Sequence, residues 1–185
     1  MAKGTAVSGK AMLDAARKAD QRELARLASQ GGDVNASHRG YRPLHALIQE
    51  QPHAECGEAS AKRLSCLRWL LEHGANPELT GAWPPARALL ITAFQGSREL
   101  AEVLRAGGAL AGDGFVAAAF GDARTIRRIL AKDPDFASAR DEGGLTALQC
   151  AAASRLDPSK TLVVARLLLE SGADASAVTR GWDHD

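Results

Sequence analysis

The stretch Leu70-Leu71-Glu72-His73-Gly74-Ala75-Asn76 decides the fold, because the same phrase returns along the chain with altered spacing. It consists of two apolar residues, two further residues, a glycine and a small residue. Close copies begin at Val103 and Leu168, and weaker copies begin at Leu27 and Ile129. Five related helix ends in 185 residues predict a stack of small units, not one chain wrapped around a single core.

Each copy is typical of the end of an amphipathic helix, since a glycine after the last apolar pair favours a left-handed cap. A second, shorter helix is predicted upstream of these ends. Its clearest example is Gly40–Leu47, where Pro43 lies in the first turn and its missing N–H is tolerated. Arg87–Ala93 and Thr146–Ala152 match it. The predicted unit is therefore helix, turn, helix, capping glycine and a short extended segment, which we call a finger.

This order of elements, with Pro43-Leu44-His45 in the second unit, resembles the ankyrin repeat family. The resemblance covers about residues 10–182 and implies one all-α domain, an ankyrin-repeat solenoid of helix-turn-helix units with short β-hairpin fingers. Residues 1–9 are expected to be flexible, and residues 181–185 to begin a truncated further unit. The cap and the four units that follow it are predicted at 10–36, 37–81, 82–110, 111–139 and 140–180.

The spacing of the units is irregular. The phrase glycines lie at 31, 74, 107 and 172, with Asp133 in the fourth place, and the steps between them are 43, 33, 26 and 39 residues. The ankyrin period is about 33 residues, so the first and last steps contain the insertions Gln51–Ala61 and Leu156–Lys160. The short step lacks residues between Gly107 and Gly114. One unit is therefore predicted to have no finger, which leaves a gap in the row of fingers.

The resemblance implies that partners bind on the concave side, which the first helices and the fingers line. The middle units place four apolar residues on that side, at positions where the family usually has polar ones: Ile91, Phe94, Val116 and Phe120. One interpretation is a patch that binds a protein or peptide. The other is a local core, because missing finger residues would allow these side chains to collapse inward.

The fingers supply the remaining predicted contacts with a partner. Trp83, at a finger tip, is predicted to be the main anchor, because a stack of helices does not need it in its core. Tyr41 is a second aromatic contact, and Arg39 and Glu142 are predicted to select the partner through polar contacts.

Composition excludes several classes of function. Lys+Arg 23 and Asp+Glu 22 leave a net charge of +1, which disfavours general binding to nucleic acid or to anionic lipid. Three cysteines without framework spacing fit a reducing compartment. No apolar run resembles a signal peptide or a transmembrane span. These features predict a cytoplasmic protein, and the abundant alanine and arginine favour a bacterial source with a GC-rich genome.

No sequence motif indicates an enzyme. The chain has no phosphate-binding glycine loop, dinucleotide fingerprint or nucleophile elbow, so neither catalysis nor a cofactor is predicted. The resemblance implies that His45, in the Pro43-Leu44-His45 motif, forms a hydrogen bond that ties adjacent fingers. The one set of metal-ligand types, with spacing that matches no known zinc module, is His53, Cys56, Cys66 and His73. A structural zinc at the long insertion is the minor alternative to no metal.

The last predicted helix, Leu162–Leu169, is strongly apolar, although a terminal repeat needs a polar outer face. We expect the natural chain to continue past Asp185, with cover by a partner or a second copy as the alternative. The leading hypothesis is a non-catalytic module that binds a protein or peptide on its concave face. The alternatives are a regulatory or substrate-recruiting domain of a larger enzyme, and self-association as a homodimer through the C-terminal unit.

Overall fold

The computed structural model describes residues 7–49, 58–82, 85–110 and 112–179, and these ranges are mostly helical. The first five α-helices are Gly9–Arg17 (α1), Gln21–Ser29 (α2), Pro43–Gln49 (α3), Glu58–Glu72 (α4) and Ala88–Gln95 (α5). The next five are Arg98–Ala106 (α6), Gly114–Ala119 (α7), Ala123–Leu130 (α8), Ala147–Ala153 (α9) and Pro158–Glu170 (α10). The predicted all-α class is confirmed. No helix in these ranges combines the length and the apolar character needed to cross a bilayer.

The helices pack in pairs that form two rows. Each odd-numbered helix contacts the even-numbered helix that follows it, and α1, α3, α5, α7 and α9 contact one another in that order. In the second row α4 lies between α2 and α6, and α10 packs against α8. The odd-numbered row is the more deeply buried, because its inner helices contact neighbours within the row as well as an even-numbered helix, and β2 of the second finger contacts α5. In α3 and α5 nearly every described side chain is buried.

The second helix of a pair usually ends at a left-handed glycine, as the recurring phrase predicts. Gly31, Gly74 and Gly172 have φ between 87° and 90°, and each follows the last helical residue by two positions. After α6, however, the left-handed residue is Gly108 (φ 96°), whereas the recurring phrase predicts Gly107 for this role. The end of α8 lacks such a glycine, and there the 3-10 helix Pro134–Ser138 inserts Phe136 into the core.

Three fingers are present in the described ranges. In the first finger His38 pairs with Tyr41, and in the last finger Arg140 pairs with Thr146. The second finger is a two-stranded antiparallel ribbon of β1 (Thr80–Gly81) and β2 (Ala86–Arg87). No strand pairing occurs among the described residues between Gly107 and Gly114, in agreement with the predicted missing finger.

The missing finger does not leave an open gap, because the neighbouring units contact each other around the short helix α7. A Cβ atom placed on Gly143 of the last finger would overlap the carbonyl oxygen of Pro85 in the second finger. At the other end of α7, the backbone N–H of Arg155 donates to the carbonyl oxygen of Ala93 at 2.9 Å. Since α7 has only six residues, helices α5 and α9 also approach each other directly.

This closure corrects the prediction for two of the four apolar residues on the concave side. Ile91 is 5% exposed and Val116 is 2% exposed, and both belong to the continuous core. They therefore cannot form an open apolar patch, and the alternative interpretation, collapse into a local core, is correct for them. Phe94 and Phe120 are half-buried at the edge of the same core.

Candidate binding site between the fingers

A cavity of about 230 Å³ lies where the missing finger would have been. We call it the finger cavity. Its upper walls are the second and last fingers, and its floor consists of apolar side chains from the starts of α5 and α7, namely Leu90, Phe115 and Val116. Its charged lining residues are Arg87, Asp113, Arg140, Asp141 and Glu142. An apolar floor with a few charged groups at its rim is typical of a binding pocket.

An ion-pair network fixes the short segment that precedes α7, at the place where the other units have a finger. The guanidinium of Arg87 lies 3.1 Å from a carboxylate oxygen of Asp113 and 3.4 Å from one of Glu78. Glu78 also accepts the backbone N–H of Leu110 at 2.9 Å. All three charged side chains are about two-thirds to three-quarters shielded from solvent, which makes the pairs stronger than fully exposed ones.

The start of α7 depends on the same network. One carboxylate oxygen of Asp113 accepts the backbone N–H groups of Phe115 and Val116, at 2.8 Å and 3.0 Å, while the other accepts from Arg87. Asp113 is therefore the N-cap of a helix too short to be stable by itself. Its cap and its ion pair fix the position of Phe115, whose ring lies 5.3 Å from that of Phe136.

Asp141 and Glu142 are the carboxylates of the last finger that line the cavity. Asp141 is half-buried and accepts the backbone N–H of Leu145 at 2.8 Å. Burial raises the pKa of Asp141, and the negative charges of Asp113 and Glu142 act in the same direction. Glu142 is exposed. Neither carboxylate forms a salt bridge within the part of the chain that the structure describes.

The finger cavity brings together two of the eight predicted contact residues, Val116 as part of the floor and Glu142 at the rim. Phe120 lies at the opposite end of α7, where the guanidinium carbon of Arg105 is 4.2 Å from its ring centre. It lines a separate hollow of about 380 Å³ between α6 and the segment before α10. Phe94 lines neither space among the described residues.

The other predicted finger contacts lie apart from the finger cavity. Arg39 is exposed at the turn of the first finger, with a φ of 51°. Tyr41 is half-buried, and the guanidinium carbon of Arg17 lies 5.7 Å from its ring centre. Trp83, the predicted anchor, is outside the described residues.

The buried ring of His45 links the second unit to the second finger. Its Nε2–H donates to the carbonyl oxygen of Ala86 at 3.1 Å, which confirms the predicted hydrogen bond to an adjacent finger. Burial is the main cause that lowers the pKa of His45 to about 4, and the charge of Arg42 acts in the same direction. The ring is therefore neutral at pH 7 and holds the finger by one donated hydrogen bond.

The residues considered for zinc do not form a ligand cluster where they can be described. Cys66 is buried in α4, and His73 stacks on Trp69 with 4.0 Å between ring centres. His53 and Cys56 lie outside the described residues. Among the residues that the structure does describe, no group of three or more potential ligands is arranged to hold a metal ion.

The C-terminal helix carries the exposed apolar side chains that the sequence predicts. Leu162, Val163 and Leu169 of α10 are 53%, 48% and 45% exposed, whereas Leu168 on the opposite face is completely buried. Val178, after the helix, is 67% exposed. The outer face of α10 thus carries exposed apolar side chains beside the charged Lys160, Arg166 and Glu170, whereas a fully polar face is expected of a capping helix.

Most of the finger cavity was not predicted from the sequence. The predicted contact residues do not include Arg87, Asp113, Phe115 or Asp141. One local signal was available, since an aspartate directly before an apolar run is typical of an N-cap, as at Asp113. In comparisons with known proteins, no protein-family model matches the chain, and no curated protein shows a significant sequence match.

Proposed function

We propose that the chain is a non-catalytic protein-binding module made of an N-terminal cap and four ankyrin-like repeats. One observation carries this proposal, the recurrence of a single backbone turn at the C-terminal ends of seven described helices. In this turn a left-handed residue donates its N–H to the carbonyl three positions earlier, and the next residue donates to the carbonyl five positions earlier. The turn is common at helix ends, but its regular alternation along stacked helix pairs is the pattern expected of repeat proteins, whose extended surfaces serve mainly in binding.

The turn recurs at seven places. It ends the second helix of a pair at Gly31, Gly74, Gly108 and Gly172. It also joins the first helix to the second at Ala19, Gly96 and Gly121. The same hydrogen bonds therefore alternate along most of the described chain and support the predicted units, including the cap at 10–36.

The row of fingers is the part of this module best suited to a partner. It combines the exposed polar residues Arg39 and Glu142 with the finger cavity, and the ion pairs of Arg87 keep the cavity walls in place. A preorganised surface loses little conformational entropy when a partner binds. The helical concave face is a weaker candidate, because Ile91 and Val116 belong to the core.

Selection from a random peptide library tests this function. Peptides retained by the purified chain would be synthesised, and their affinities measured by fluorescence anisotropy. We expect Glu142→Arg to weaken binding by about tenfold, because it reverses a charge at the cavity rim. The control Glu170→Arg, on α10, should leave binding unchanged. Recovery of no binding peptide would contradict the proposal, and peptides insensitive to Glu142→Arg would exclude the finger cavity as the site.

A second candidate, self-association, is favoured by the exposed apolar side chains of α10. This surface is distinct from the finger cavity, so the two functions are compatible. Its test is the oligomeric state of the chain in solution, with Leu162 as the residue to change.

A further inference from the structure

We propose that the finger cavity binds an arginine side chain that a protein partner presents. This inference rests on the proposed protein-binding function and specifies the chemistry of the partner. It follows from three features of the cavity: its size, the balance of charge around it and the nature of its floor.

The size of the cavity fits one long side chain. Its volume of about 230 Å³ is below the ~300–1,000 Å³ that is usual for small-molecule sites. It is several times the volume of a water molecule, about 30 Å³ in the liquid. The second and last fingers form its walls, so a peptide that lies against them could insert one side chain into the cavity.

The charge balance in the cavity favours a cation. Of the two basic lining residues, Arg87 is already paired with both Asp113 and Glu78. Arg140 donates to the carbonyl oxygen of Gly144 at 2.6 Å, and its charge lowers the pKa of Asp174, which lies outside the cavity. Asp141 and Glu142 are left without a salt bridge in the described ranges. Burial is the main cause that raises the pKa of Asp141, and the negative charges of Asp113 and Glu142 act in the same direction.

The floor distinguishes a guanidinium from an ammonium group. Phe115 is the partly exposed member of the floor and offers apolar surface to the aliphatic stem of a long side chain, while Leu90 and Val116 are buried beneath it. A planar guanidinium can stack on the ring of Phe115 and donate to two carboxylates from one plane, whereas an ammonium is compact and more strongly hydrated. Arginine therefore satisfies the acidic rim and the aromatic floor together.

The peptides selected on the wild-type chain test this inference directly. We expect an arginine at one fixed position of the enriched sequences. Replacing it by citrulline, which has the same shape but no charge, should weaken binding by about tenfold, and replacing it by lysine should have a smaller effect. Glu142→Gln and Asp141→Asn should each weaken the arginine peptide but leave the citrulline peptide unaffected, as a double-mutant cycle requires for a direct pair.

Controls keep the outcomes separate. Asp141→Asn retains an acceptor oxygen for the N–H of Leu145, and Glu142 has no hydrogen bond in the described structure to lose, so both variants should fold. If circular dichroism shows that Asp141→Asn is unfolded, Glu142→Gln decides alone. Glu170→Gln is the matched surface control. Binding peptides without a fixed arginine would overturn this inference and leave the proposed function standing, whereas recovery of no peptide would overturn both.

Discussion

At the scale of single residues, His45 connects protonation to the stability of the fold. Its pKa is about 4 in the folded chain, against 6.5 for the ordinary side chain. Between these values the unfolded chain binds a proton that the folded chain excludes, so stability falls as pH decreases from 6.5 towards 4 and is constant above 6.5. We expect a loss of about 3 kcal/mol across this window, to be measured by urea denaturation at a series of pH values.

One variant isolates this contribution. His45→Gln removes the titrating ring, so its free energy of unfolding should be lower at pH 7 but nearly independent of pH between 6.5 and 4.5. An unchanged slope in His45→Gln would show that another group causes the pH dependence.

At the scale of single elements, the end of α6 tests which glycine is the cap. Gly108 has a φ of 96°, and a Cβ atom placed on it would meet no other atom within 4 Å. A side chain there is therefore unfavourable only because of the left-handed backbone conformation. Gly108→Ala should lower the free energy of unfolding by about 1 kcal/mol, and Gly108→Asn by less, because asparagine tolerates the left-handed region. Chemical denaturation provides the measurement. Gly112→Ala, at an uncrowded position, is the control and should be neutral.

Equal stability of Gly108→Ala and the wild type would contradict the left-handed cap at this position. Gly107 has a φ of −83°, and a Cβ atom there would meet the terminal methyl groups of half-buried Leu71, which can shift. Gly107→Ala should therefore cost less than Gly108→Ala, and asparagine should not improve on alanine at this position.

The elements that local sequence rules govern were predicted well. The helix ends follow from the recurring phrase, whereas the hydrogen bond of His45 was expected only from the resemblance of Pro43-Leu44-His45 to a repeat-family motif. The finger cavity was not predictable in the same way, because its walls come from segments about 60 residues apart, near Pro85 and Gly143. The sequence shows that residues are missing between Gly107 and Gly114, but only the packing of the neighbouring units determines what fills that space.

At the scale of the whole molecule, the apolar face of α10 leads to a prediction about assembly. If this face pairs with a second copy, the chain should sediment as a dimer at micromolar concentration, and Leu162→Glu should sediment as a monomer. Leu162 is 53% exposed, so this change should alter the free energy of unfolding by no more than about 0.5 kcal/mol. A wild-type chain that is monomeric at all concentrations in analytical ultracentrifugation would exclude self-association through α10.

The contact between the second and last fingers couples the stability of the whole stack to the finger cavity. Gly143 has no room for a Cβ atom, because the carbonyl oxygen of Pro85 occupies that position, so the fingers must separate if a side chain is added. Gly143→Ala should lower the free energy of unfolding by about 1–3 kcal/mol and weaken the binding of selected peptides, because the cavity walls move apart.

Gly112→Ala is the control, because a Cβ atom there meets no atom within 4 Å, and it should change neither quantity. Denaturation and anisotropy on the same preparations give both values, and a Gly143→Ala chain identical to the wild type in stability and binding would show that the fingers do not touch in solution.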